Sequence, residues 1–170
     1  LQGPWDWALA SSSAAGGLRM ASVGLTEALS GRAGSLAAFG AGGKVVATAH
    51  GFLDDEAIAR IDAEKPHLVL LAGGLDGGNS AALIHNAEQL ARLKTPHGYI
   101  VAGNASAAQE AADKLRDGSR DVRVVDNVFP RAGEIAIMAT RDTVRDLFLR
   151  HITRAKGLEG MMETFRTDCE

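Results

Sequence analysis

Four consecutive apolar residues, Leu68, Val69, Leu70 and Leu71, stand between Pro66 and a glycine-rich run that begins at Gly73. Successive side chains of a strand point to opposite faces of its sheet, so a strand apolar at every position must be covered on both sides. The centre of a parallel sheet with helices on each face meets that need. The flanking sequence repeats one unit: a short β-rich run, a glycine or Asn/Asp turn, then an amphipathic helix. Residues 18–25 read as a first strand, and residues 26–41 as a helix closed by Gly42 and Gly43. Residues 44–49 read as the second strand, after which Asp54 caps a helix to Lys65 and Pro66 enforces the stop. The third strand is residues 67–72, and Asn79 is expected to cap the helix after it. Residues 99–102 form the fourth strand. Ser106 and Gln109 have capping-box spacing for a helix reaching Asp117, and residues 122–125 form the fifth strand.

This alternation predicts an α/β fold: a doubly wound, mostly parallel sheet of about five strands in one domain spanning residues 1–170. The expected strand order is the flavodoxin-like, Rossmann-related 2-1-3-4-5. Aromatics are only 5% of the chain and glycines number 20, so small side chains must build much of the core. Two segments fall outside the repeat. Residues 5–13, which carry both tryptophans, read as an added strand. Residues 140–156 read as a C-terminal amphipathic helix with Val144, Leu147, Phe148 and Ile152 on one stripe, docked on this domain or on neighbouring sequence. Its arginines, Arg141, Arg145, Arg150 and Arg154, read as a solvated face, with contact to an acidic partner surface as the alternative.

A formal charge of −3 gives no electrostatic reason to expect nucleic acid or an anionic membrane as partner. The single cysteine, Cys169, cannot form a disulfide within one chain, which fits a reducing compartment. No apolar run reaches the roughly 20 residues of a membrane span, and no basic-then-apolar leader is visible. A cytoplasmic protein is the expectation.

In an open parallel sheet, ligands gather beyond the C-terminal ends of the strands. The loop there with the most distinctive composition contains Gly73, Gly74, Leu75, Asp76, Gly77, Gly78 and Asn79. Its glycines allow a close backbone approach, and the helix that follows offers free N–H groups. Asn104 and the pair Asp126 and Asn127 end neighbouring strands and could converge with Asp76. Gly73, Gly74, Asp76, Gly77, Gly78, Asn79, Asn104, Asp126 and Asn127 are therefore the candidate ligand-binding residues, with capping and turn formation as their structural role. The loop lacks the Gly-Lys-Ser/Thr of a phosphate loop and the GxGxxG of a dinucleotide site. No HxxxH, HExxH or GxSxG spacing occurs, and no catalytic or metal-ligating residue is assigned. His85 falls with Glu88, Gln89 and Arg92 on the polar side of its helix and is expected to be solvated.

Three stretches together resemble a known family: residues 11–20 (SSSAAGGLRM), residues 70–79 (LLAGGLDGGN) and residues 101–104 (VAGN). Asp126-Asn127-Val128, and Phe148-Leu149 through Ala155-Lys156-Gly157-Leu158, continue the match. The set is similar to the glutamate mutase (methylaspartate mutase) accessory proteins, often called MutL or GlmL and unrelated to the mismatch-repair protein of that name. The resemblance implies a relative of actin/Hsp70-like ATPases that reactivates an adenosylcobalamin-dependent mutase by exchanging damaged cobalamin. ATP and Mg belong to that parent family. Its DxGSTxTK-like and DxGGxTTD-like motifs are absent here, so the chain reads as an internal domain that partners a mutase and a separate ATPase-like domain. Leu75 stands where the family pattern would place Thr, which removes a hydroxyl from the loop. On this reading the chain is a non-catalytic interaction domain of a chaperone-like reactivating factor. The alternative is a flavodoxin-like module that binds a small ligand, cobalamin or a nucleotide, without catalysis. The DxHxxG loop of cobalamin-binding folds is absent around His50, so cobalt ligation is not expected. A self-contained enzyme with its site at the glycine loop is the third reading, and it lacks a positioned base, nucleophile or phosphate lysine.

Overall fold

The computed structural model describes residues 17–38, 41–117 and 119–155. The strand expected over residues 5–13 lies outside them, as does Cys169. Among the described residues five strands and five helices alternate: β1 (Leu18–Gly24), α1 (Glu27–Ala38), β2 (Gly43–His50), α2 (Asp55–Ala63), β3 (Leu68–Leu71), α3 (Ala81–Leu90), β4 (Gly98–Val101), α4 (Ala108–Leu115), β5 (Asp121–Val124) and α5 (Met138–Ala155). The sheet order is β2-β1-β3-β4-β5, and every pairing is parallel. The expected doubly wound order is thus the observed one.

The apolar run that demanded cover on both faces receives it. Val69 and Leu71 join Val23, Tyr99 and Val101 in a core beneath α2, α3 and α4. Leu68 and Leu70 join Met20 and Ile100 in a second core beneath α1 and α5. All four β3 side chains are buried, which at roughly 1.5–3 kcal/mol per buried aliphatic side chain makes β3 a principal source of stability. Small residues set the spacing of α1. Ala33 and Ala37 are buried on its inner face, and a Cβ built on Gly34 would lie 2.5 Å from the Ser22 Cβ. The helix therefore sits closer to β1 than any larger residue would permit.

The last helix docks back on the domain, one of the two placements expected of it. Val144 and Leu147 are buried in the second core and Phe148 packs against its edge. On the polar side Arg150 pairs with Asp146 at 3.1 Å. The helix begins two residues earlier than its sequence pattern indicates, at Met138.

Helix starts differ from expectation where side chains found other partners. Asp54 does cap α2, accepting from Ala57 N at 2.8 Å. Asn79 lies one residue outside the boundary residue Ser80, yet its Oδ1 accepts from Ala81 N at 2.7 Å. The capping box expected at Ser106 does not form. Ala107 is the boundary residue of α4, and the Ser106 hydroxyl donates instead to Asn104 Oδ1 at 2.8 Å. With the helix boundary one residue on, at Ala107, the Ser106 side chain bonds locally to Asn104 and caps no helix amide. Among the described residues no helix is long and apolar enough to cross a membrane.

Candidate functional site

Because all five strands run the same way, the turns that follow them meet along one rim, and backbone bonds stitch them together. Gly51 N donates to Gly24 O, Ala72 N to Val23 O, Asn104 N to Gly73 O and Val128 N to Ala102 O, at 2.8–3.1 Å. Within this rim Asp76, Asn104 and Asn127 converge. Asp76 Oδ1 accepts from Ala105 N and from Asn127 Nδ2, both at 2.9 Å. The same Asn127 Nδ2 donates to Gly74 O at 2.9 Å, and Asn127 Oδ1 accepts from Phe129 N at 3.0 Å. Asn104 Nδ2 donates to Gly78 O at 2.8 Å, while its Oδ1 takes Ser106 N and the Ser106 hydroxyl. Three side chains thus brace three turns.

The glycine loop is folded onto that brace. Gly73, Gly74 and Gly78 offer their carbonyls to it, and Gly78 N bonds Leu75 O at 2.9 Å. Gly74 is required there: its φ is +75°, and a Cβ would lie 3.0 Å from Asn79 O and 3.2 Å from the Asn104 Cβ. Gly77 sits at the outer tip of the loop. Two of the sequence candidates stand apart from the convergence. Asn79 serves its own helix, and Asp126 is exposed beside Asn127 and takes no part in the brace.

The bonds to Ala105 N and then to Asn127, with a smaller contribution from the Arg131 charge, hold the Asp76 carboxyl below its ordinary value of 3.8. A lowered folded-state value means that these bonds stabilise the native state fully above pH 3.8. Their contribution is lost as pH falls through the lower, folded value. The urea-midpoint difference between the parent chain and Asp76→Asn is therefore expected to be constant from pH 7 to about pH 4 and to shrink below that. A difference that grows on acidification would show that the carboxylate is not what braces the loop.

Sequence periodicity misplaced one residue here and missed another. His85 is not solvated: it is half-buried, its Nε2 donates to Leu53 O at 2.9 Å, and its ring meets Phe52 edge-on at 5.3 Å. Asn86 is 2% exposed, accepts from Leu53 N at 2.8 Å and donates to Gly51 O at 2.7 Å. The usable signal for Asn86 was its spacing, three residues after Leu83 and four before Leu90, which puts a polar side chain on the buried stripe.

Strand order reverses between β1 and β3, which is where sheets of this order usually open a ligand crevice. Gly24, Leu25, Gly73, Leu75 and Phe129 leave a cavity of only about 40 Å³ there. Small-molecule sites run to roughly 300–1,000 Å³. A larger groove of about 620 Å³ lies between β2 and α2, bordered by Glu27, His50, Phe52, Asp54, Arg60 and Glu64. Nucleotide phosphates do not fit the glycine loop as it stands. The loop carries the Asp76 carboxylate, whose Oδ1 is taken by Ala105 N and Asn127, Asp76 N donates to Pro130 O, and Arg131 is the one Lys or Arg on the rim turns. Among the described residues, no three His, Cys, Asp or Glu side chains gather in a metal-holding group.

Fold and rim together define a doubly wound α/β domain of flavodoxin-like order whose strand-end turns are braced by their own polar side chains. Residues 2–169 match the family model described as MutL protein. The chain is also 36% identical, over 150 residues, to Protein MutL of Clostridium tetanomorphum, an alignment that covers 88% of this chain and 32% of the relative. This chain belongs to the MutL family, the glutamate mutase accessory family that its glycine-rich stretches resemble. It spans about a third of the length of the curated relative it matches. No solved structure matches it.

Proposed function

We propose that this chain is the interaction domain of an accessory protein that reactivates an adenosylcobalamin-dependent mutase in the cytoplasm. The action is chaperone-like: the domain engages the mutase, and ATP and Mg are handled by an ATPase-like domain elsewhere in a longer protein. The observation that carries this reading is family membership over nearly the whole chain. The braced rim supports it, because a surface meant to dock a protein benefits from turns that are already ordered and lose little entropy on binding. No catalytic role is assigned to any residue of the chain.

The groove beside β2 favours a second reading, a module that holds cobalamin or a nucleotide without transforming it. Calorimetric titration of the purified chain with glutamate mutase, with cobalamin and with ATP separates the two. Saturable binding of the mutase alone is the expected result, with no phosphate released from ATP. Binding of cobalamin without the mutase would transfer the argument to the second reading, and ATP turnover would defeat both.

A further inference from the structure

We infer that the turns after β1, β2 and β3 form a protein-docking face for a partner surface whose apolar side chains are ringed by lysine or arginine. The inference rests on the interaction-domain reading and locates it on the molecule. Leu25, Phe52 and Leu75 are 47%, 61% and 43% exposed, and each stands on one of these three successive turns. They are neighbours in space as well. Gly51 N bonds Gly24 O, and a Cβ on Gly73 would lie 3.7 Å from Leu25 N, so the Leu25 turn sits between the other two. Isolated exposed leucines are ordinary on a protein surface, whereas three large apolar side chains on adjoining turns form a patch.

Charge identifies the partner. From these turns through the first turn of the helix after each, the chain carries Glu27, Asp54, Asp55, Glu56 and Asp76 and neither lysine nor arginine; Arg92 reaches across to pair with Asp55 at 2.6 Å and Arg131 acts on Asp76, which leaves Glu27, Asp54 and Glu56 to set the charge. The helix dipole accounts for acids at helix starts, and Asp54 is used as a cap. It does not account for large apolar side chains between them. A face that is apolar at its centre and acidic around it repels nucleic acid and anionic lipid and complements a basic protein surface. Phe52 and Glu27 also border the groove beside β2, which gives a protruding partner side chain a recess.

The test uses glutamate mutase as probe, with three variants of this chain. Leu25→Ser/Phe52→Ser/Leu75→Ser removes the patch, Glu27→Gln/Glu56→Gln removes charge without touching a cap, and Leu149→Ser alters an exposed site on α5. All are first checked for an unchanged melting temperature. The triple variant is expected to bind at least tenfold more weakly, and Leu149→Ser as the parent chain does. Parent-chain binding should weaken several-fold between 50 and 300 mM salt, and less so in the charge variant. Undiminished binding by the triple variant, or an equal loss in Leu149→Ser, would overturn the docking face. A salt response unchanged by Glu27→Gln/Glu56→Gln would overturn the basic partner. If the parent chain binds no mutase at all, the interaction-domain reading itself falls and this inference falls with it.

Discussion

Gly103→Ala is expected to lower stability by about 3 kcal/mol or more, enough to leave a marginal domain partly unfolded at 37 °C. The reason is space rather than backbone conformation. A Cβ on Gly103 would lie 2.6 Å from Gly73 O, 2.7 Å from Leu83 Cδ1 and 3.1 Å from Gly73 N. Two of those neighbours are backbone atoms that cannot swing aside. Gly73 O is held because it accepts Asn104 N at 2.9 Å, and Leu83 is 2% exposed in the core under α3. Relief requires the β3–α3 and β4–α4 turns to separate, and that breaks the bonds of Asn104 with them. Gly77→Ala is the matched comparison: nothing lies within 4 Å of its Cβ position, and only its φ of +72° resists the change. That substitution should cost about 1 kcal/mol. Thermal or urea unfolding of the two variants checks the order, and equal losses would mean that the turns are not packed against one another as described.

The architecture was legible because its determinants are side-chain patterns. A strand such as β3, apolar at every position, can be placed in a sheet from its sequence. Its neighbours β1 and β4 follow from the same repeat, although Arg19 and Ser22 interrupt the apolar run of β1. The rim was legible only in outline. Asp76, Asn104 and Asn127 could be grouped because each ends a strand or lies in the turn after one. Their partners, Gly74 O, Gly78 O and Ala105 N, are backbone atoms, and every residue carries such atoms. Asp126 and Asn127 are adjacent and chemically similar, so nothing in the sequence says which of them faces inward. The capping box at Ser106 failed for a related reason. Local spacing registers a hydroxyl and a helix amide three residues on, but not the Asn104 carbonyl that tertiary structure has already turned towards that hydroxyl. His85 misled because a helical wheel assigns solvent to whatever lies off the apolar stripe, whereas here the β2–α2 turn folds over that side.

The same turn carries the second large effect. Asn86→Ala should destabilise the chain by about 3 kcal/mol, because two backbone groups lose their partner in a site that water reaches poorly. Leu53 is 3% exposed, and its N–H would be left without the Asn86 oxygen; Gly51 O would lose the Asn86 amide donor. Asn86→Asp separates the two contributions. A carboxylate can still accept from Leu53 N, but it presents an oxygen to Gly51 O, so acceptance is kept while donation becomes repulsion. A loss for Asn86→Asp at pH 7 smaller than that for Asn86→Ala would show that the bond accepted from Leu53 governs the turn, because the variant keeps only that bond and also bears the cost of burying a charge. The effect has a functional side, since Gly51 and Leu53 flank Phe52, the most exposed member of the apolar patch. Releasing both flanks frees Phe52 to sample other positions, and any partner must then bear the cost of ordering it again. Asn86→Ala, studied at a temperature where it remains folded, should therefore weaken binding of the mutase although its side chain is buried. Unaltered affinity together with lost stability would mean that the β2–α2 turn holds its shape without Asn86, and that Phe52 is positioned by its edge-on contact with His85 instead.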